Sequence, residues 1–274
     1  PEIAEARGVE PWKTVESPAS HSAFSTPIEL LQFIDRLRNL SGGKPTGFKL
    51  AIGHPWEFFA IVKAMLQTGI VPDFIVVDGK EGGTGAAPAE FMDRAGTPMQ
   101  DGLMLVHNTL VGVNLRDDIR LGASGKIISA FDIARALALG ADWCNSARGF
   151  MFALGCIQAQ TCHTGNCPTG VTTQDPQRQM ALVVPSKAER VHNFHTHTLE
   201  ALQELMEASG LTQPSDITPK HIMRRVSETQ ILHLSELIDT VPADALLQDD
   251  LNSLPSVYRD WPLASATQFG LQSH

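Results

Sequence analysis

The segment 74-FIVVDG-79 decides the fold class. An unbroken apolar run rich in β-branched residues ends on an aspartate and a glycine, and it is too short for a helix. A strand apolar on both faces is covered on both, which is the habit of parallel sheets. Working outward, the same unit repeats. Upstream, 48-FKLAIG-53 is a short buried strand and 56-WEFFAIVKAMLQTG-69 a helix ending in glycine. Downstream, 103-LMLVHNTLVGVNLRD-117 is a helix, 119-IRLGASG-125 a third strand, 128-ISAFDIARALALG-140 a helix and 142-DWCNSARG-149 a fourth strand. In the helix from 128, Phe131, Ala134, Leu137 and Ala138 share a face. Strands alternating with helices predict an α/β fold with a parallel sheet.

Residues 1–24 form a polar, irregular entry. A helix follows in 25-STPIELLQFIDRLRNLSGG-43. Thr26 and Glu29 make a capping box, Pro27 takes the first helical position, and Leu30, Leu31, Ile34 and Leu37 form the apolar stripe. Beyond the fourth strand, 175-DPQRQMALVVP-185 reads as a loop. Ser186 and Glu189 suggest a second capping box opening a helix to about Ser209, and 214–274 reads as short helices.

The bulk numbers bound the rest. The 274 residues carry 21 Lys+Arg against 30 Asp+Glu, a net charge of −9, and no basic run. Such a chain is poorly suited to nucleic acid or anionic membranes. No apolar run is long enough to span a bilayer, and no signal peptide is evident. Four strand–helix units are half of an eight-stranded barrel, which takes about 250 residues. Either the sheet is small and open, or the remaining strands lie upstream. The start at Pro1, without an initiator Met, favours the second and suggests a piece of a longer polypeptide.

The richest chemistry lies in 155-GCIQAQTCHTGNCPTG-170, which holds three of the chain's four cysteines. Cys156, Cys162 and Cys167 follow the spacing C-x5-C-x4-C. Thiolates converging from one loop suit an iron–sulfur cluster. Structural zinc prefers tighter pairs and four ligands. Three free thiols, or one disulfide with a thiol, is the inert alternative. The spacing favours the cluster. Cys144, in the fourth strand, reads as core.

The loops after the strands are richer than the turns before them, as in sheets that carry function at their carboxyl ends. The loops 123-ASGK-126 and 147-ARGF-150 combine glycines with Lys126 and Arg148. They read either as ordinary turns or as a phosphate site between Gly125 and Gly149. Lys49 is a charge inside an apolar strand, costly unless paired. It meets either a salt-bridge partner or the edge of an electron-rich cofactor. The loop 78-DGKEGGTGAAP-88 lacks the dinucleotide fingerprint and reads as a pocket-shaping loop or a flexible connection. His192, His195 and His197 lie on the helix after the cysteines and read as a solvated face.

Taken together, 1-PEIAEARGVE-10, 45-PTGFKL-50, 78-DGKEGGTGAAP-88, 123-ASGKI-127 and 155-GCIQAQTCHTGNCPTGVTTQ-174 resemble the FMN-binding synthase domain of the glutamate synthase family. The closest likeness is to members that lack the glutaminase domain. The resemblance implies a (βα)8 TIM barrel of the FMN-linked oxidoreductase type. Residues 1–175 would supply mainly its C-terminal half, with the iron–sulfur loop at 155–170. Residues 176–274 would form a helical extension completing or packing on the barrel. It implies FMN held by Lys49, Asp78, Gly79, Ser124, Gly125, Lys126, Arg148, Gly149 and Phe150, with Lys49 also catalytic at the flavin's pyrimidine edge. It implies a 3Fe-4S cluster on Cys156, Cys162 and Cys167. The implied reaction reduces 2-iminoglutarate, formed from 2-oxoglutarate and ammonia, to L-glutamate. Electrons would come from an NADPH-dependent flavoprotein or ferredoxin. The N-terminal half of the same polypeptide is an expected partner. A cytoplasmic location is expected, although longer members can carry an N-terminal membrane segment. Nothing here reads as an amidotransferase, so ammonia would not be released from glutamine by this chain. Two alternatives stand beside this reading: another FMN-barrel oxidoreductase or isomerase, and a non-catalytic fragment or assembly subunit.

Overall fold

The computed structural model describes residues 1–16, 18, 20–82, 90–91 and 93–271. After a short helix α1 (Glu2–Arg7), α2 (Pro27–Leu40) starts as expected. Thr26 Oγ1 accepts the Glu29 N–H at 3.2 Å, and the Glu29 carboxylate accepts the Thr26 N–H at 3.1 Å. Its buried stripe is narrower than expected, because Leu37 is 39% exposed.

The core is built from β1 (Gly47–Ala51), α3 (Pro55–Thr68), β2 (Phe74–Asp78), α4 (Met99–Gly112), β3 (Arg120–Ser124), α5 (Ala130–Ala138) and β4 (Trp143–Asn145). The strands form a four-stranded parallel sheet in the order β1-β2-β3-β4. Sequential order with right-handed crossovers places the connecting helices on one face. Burial agrees: Ile75, Val77, Leu121 and Ala123 are fully buried in one core with Phe59, Val106 and Leu110 of α3 and α4. The alternate residues, Lys49, Phe74, Val76, Asp78, Gly122, Ser124 and Trp143, share the opposite face, because side chains alternate along a strand. On that face Gly122 makes room for Trp143, since a Cβ there would fall 2.5 Å from the indole.

Several boundaries differ from expectation, each for a physical reason. Helix α4 begins at Met99, not 103, because the Glu81 carboxylate, eighteen residues upstream, accepts the Met99 N–H at 2.9 Å. It stops at Gly112 as Asn114 turns into the left-handed region at φ 58°. Strand β4 is only three residues long, and Arg148 already opens helix α6 (Arg148–Leu154). In α5, Phe131 is 44% exposed, and alanines 130, 134, 136 and 138 carry the buried face.

The expected loop 175–185 contains a helical turn, α7 (Pro176–Gln179), capped by Asp175 Oδ1 accepting the Gln177 N–H at 2.8 Å. Helix α8 (Val184–Ala208) starts at Val184, and Ser186 with Glu189 forms no capping box. Pro185 explains this: proline fits only the first helical turn, so the helix begins before it. Beyond α8, the described residues form short helices, all of 3-10 type, and one antiparallel hairpin, β5 (Met223–Arg225) with β6 (Ile231–His233), that the sequence reading did not include. This tail packs on the helix layer. Tyr258 stacks on Phe59 at 5.4 Å, and the Trp261 indole N–H donates to the Leu246 carbonyl at 3.0 Å.

Candidate functional site at the strand carboxyl ends

Parallel register brings Ala51, Asp78 and Ser124 side by side, and Asn145 opposite Ser124. Lys49 does not insert into the core. Its ammonium pairs with Asp78 Oδ2 at 2.6 Å, on the face opposite the helices. The other carboxylate oxygen, Asp78 Oδ1, is buried and has no hydrogen-bond partner among the described residues.

The next residues lock the strand ends together. The Gly79 N–H donates to the Ser124 carbonyl at 2.9 Å. A Cβ on Gly79 would lie 2.4 Å from the Met99 nitrogen, so only glycine lets this turn sit on the start of α4. Gly125 adopts φ +142°, and a Cβ there would come within 3.0 Å of the Met99 side chain. Lys126 holds φ 47°, and its ammonium pairs with the Asp93 carboxylate. Residues 83–88 of the expected pocket loop lie outside the described residues.

Arg148, Gly149 and Phe150 divide their roles. Arg148 opens α6 and faces a small pocket. Gly149 and Phe150 serve the α6–α8 contact. A Cβ on Gly149 would fall 2.6 Å from the Phe194 ring, and the Phe150 ring meets Phe194 edge-on at 5.2 Å. His192, His195 and His197 are exposed on α8.

The small pocket joins two parts that the sequence kept apart. Its walls include Asp93, Lys126 and Arg148 from the strand ends and Cys156, Gln158 and Cys162 from the cysteine loop. Cys156, Cys162 and Cys167 together line a second small pocket with Thr169 and Thr172. Burial raises the Cys167 thiol, but hydrogen bonds from the Thr169 hydroxyl, from the Thr172 and Thr169 N–H groups and, least, from the Thr172 hydroxyl outweigh it, bringing it down to about 6. Cys144 behaves oppositely: burial, helped by Asp132, pushes it up to about 12, as suits an inert core thiol. All four cysteines are free.

Among the described residues, no three His, Cys, Asp or Glu side chains are gathered to hold a single metal ion. A multi-iron cluster takes its thiolates on separate irons, so its ligands surround a volume rather than a point. Three thiols lining one pocket, one already biased toward thiolate, fit that demand better than a mononuclear zinc site.

Sequence reasoning missed Glu81, Asp93 and Gln158. Asp93 carried no signal, standing 33 residues from Lys126 in an ordinary polar stretch. Gln158 lay inside the cysteine motif, and its place between two cysteines was the available hint.

A family profile described as a conserved region in glutamate synthase matches residues 1–212. The chain belongs to the glutamate synthase family. It is 44% identical over 237 residues to the glutamate synthase large subunit-like protein YerD of Bacillus subtilis, covering 86% of this chain and 45% of that protein. It is 33% identical to the archaeal glutamate synthase [NADPH] of Methanocaldococcus jannaschii, covering 77% of this chain and 41% of the relative. It is 31% identical to ferredoxin-dependent glutamate synthase 2 of Synechocystis sp., covering 94% of this chain and 16% of the relative. The chain therefore spans less than half the length of these glutamate synthase relatives. Among the described residues, no helix is long and apolar enough to cross a membrane.

Proposed function

We propose that this chain is part of an FMN- and iron–sulfur-dependent oxidoreductase that reduces 2-iminoglutarate, from 2-oxoglutarate and ammonia, to L-glutamate. The observation that carries the proposal is the pocket whose walls combine Lys126 and Arg148 with Cys156 and Cys162. It sets strand-end side chains, the Lys126–Asp93 pair and Arg148 among them, directly against a thiol-rich loop, the adjacency that electron delivery to a strand-end cofactor needs.

A (βα)8 barrel is supported by the sequential strand order and by the sheet face that carries no helices. In an open doubly wound sheet the order reverses and both faces are covered. Here the chain would contribute four strands, with the rest of the polypeptide closing the barrel.

When bound, FMN supplies the hydride, and the cluster supplies one-electron relay. The chain's residues bind and orient. Lys49 presents positive charge at the strand ends, where it can stabilise negative charge developing on an electron-rich ring. Asp78 Oδ1 is left to accept a ligand N–H, which removes its unsatisfied burial. Ser124, Gly125 and Lys126, with the start of α6 at Arg148 and Gly149, form the phosphate end. Cys156, Cys162 and Cys167 hold the cluster. NADPH- and ferredoxin-dependent relatives support a reduced flavoprotein or ferredoxin as donor.

The test is anaerobic purification of the full-length protein, followed by absorption spectroscopy, iron and sulfide analysis, and an assay with 2-oxoglutarate, ammonia and a reductant. Flavin absorption near ~450 nm, about three irons per chain and glutamate formation are expected. Flavin without iron, or both chromophores without glutamate, would overturn the reading.

A further inference from the structure

The cysteine pocket contains one polar atom without a well-formed hydrogen bond. Thr172 Oγ1 is buried and completes no hydrogen bond of good geometry among the described residues, yet its hydroxyl is near enough to Cys167 to help lower that thiol, and Thr172 lines the same pocket as all three cysteines. A buried hydroxyl is costly when nothing accepts its proton. A second hydroxyl is already at work nearby: Thr169 Oγ1 lies 3.4 Å from Cys167 Sγ. When the sulfur is a metal-bound thiolate, the hydroxyl must be the donor. A third donor reaches another ligand: the Gln158 N–H points at Cys156 Sγ at 3.4 Å, from a backbone held at φ 56°.

We propose that Thr169 and Thr172 are positioning residues that donate hydrogen bonds to the sulfurs of the cysteine-held iron–sulfur centre and raise its reduction potential. The inference rests on the cluster reading above. Reduction by one electron, supplied in the experiment by dithionite, adds negative charge that spreads over the sulfurs. Hydrogen-bond donors favour the more negative state, so each hydroxyl makes the centre easier to reduce. Gln158 adds a backbone donor of the same sense, which no side-chain substitution removes.

The experiment is an EPR-monitored redox titration of the full-length protein and its Thr169→Val and Thr172→Val variants, with iron and sulfide counted in each. Val keeps the shape and removes the hydroxyl. Each Val variant should keep the wild-type iron content and shift the reduction equilibrium about tenfold against the reduced state, ~59 mV for a one-electron couple. Thr169→Ser and Thr172→Ser keep the hydroxyl and should titrate like the wild type. An unchanged potential in iron-replete Val variants would overturn the inference and leave the cluster reading intact. So would Ser variants that shift as far as the Val variants, or Val variants that lose iron while Ser variants load fully but with a displaced potential. A wild-type protein without iron would overturn the cluster reading, and this inference with it.

Discussion

Lys49 and Asp78 stand on neighbouring parallel strands, and the lysine ammonium lies 2.6 Å from one oxygen of the aspartate while the other oxygen is buried without a partner among the described residues. The pair is half used: the ion pair answers the charge, and the remaining acceptor waits for a donor. A lysine in an apolar strand is thereby explained without assigning it to the core. It belongs to the sheet face that carries no helices.

Substituting Lys49 should separate function from stability. The side chain is 55% exposed, so Lys49→Gln should change unfolding free energy by about 0–1 kcal/mol. If Lys49 stabilises charge on the bound flavin, the glutamate-forming rate of the full-length protein should fall by about 100-fold. Thermal melting alongside steady-state assays decides it. Equal activity in the variant removes Lys49 from the chemistry.

Gly79→Ala should be destabilising although it adds one methyl group. The new Cβ would sit 2.4 Å from the Met99 nitrogen and from the Glu81 carboxylate that caps α4. Relieving that overlap requires breaking the cap or moving the strand end, a loss of about 1–3 kcal/mol. Urea denaturation would show it as a lower midpoint. An unchanged midpoint would mean that the turn is softer than its packing suggests.

His107 should make stability pH-dependent. Burial, with the Arg116 guanidinium beside it, pushes its pKa down to about 4, against the pull of Asp142. The folded value lies below the unfolded one, so the neutral ring stabilises the fold at neutral pH. That contribution, roughly 3 kcal/mol, is lost as pH falls from about 6.5 toward 4. Below that range both states are protonated and the loss is complete. Urea titrations at pH 7 and pH 5 should differ in the native chain and differ less in His107→Gln. Parallel curves for the two proteins would assign the acid sensitivity to other groups.

The cysteines should sort cleanly by iron content. Cys156→Ala, Cys162→Ala and Cys167→Ala should each lower iron per chain in anaerobically purified protein, because each removes a sulfur from the shared pocket. Cys144→Ala should retain full iron, as its thiol is raised to about 12 and lies on the helix-covered side of the sheet. Iron and sulfide assays on the four variants read this directly. Full iron in all three loop variants would leave the thiols without a ligand role.

The strands and most of the helices were legible because their signals are local. In β2 the apolar run is contiguous, and in α2 the capping residues stand three apart, so short windows of sequence suffice. The same locality explains the errors. Helix α4 is capped by Glu81 from outside its own segment, and no window around Met99 reveals that. In α8 a serine and a glutamate imitated a capping box, while Pro185 dictated an earlier start.

What the sequence by itself determined is therefore the parallel α/β order, the cysteine spacing of the loop and the glutamate synthase likeness. Each depends on residue spacing within a few turns of chain. Only the tertiary structure decided that Lys49 answers Asp78, that Lys126 answers Asp93, and that Gly149 and Phe150 pack against Phe194. The tertiary structure alone also set the cysteine loop against the charged strand ends. These partners lie tens of residues apart along the chain. Parallel strand register and close packing between layers choose them, and neither leaves a mark in the local pattern.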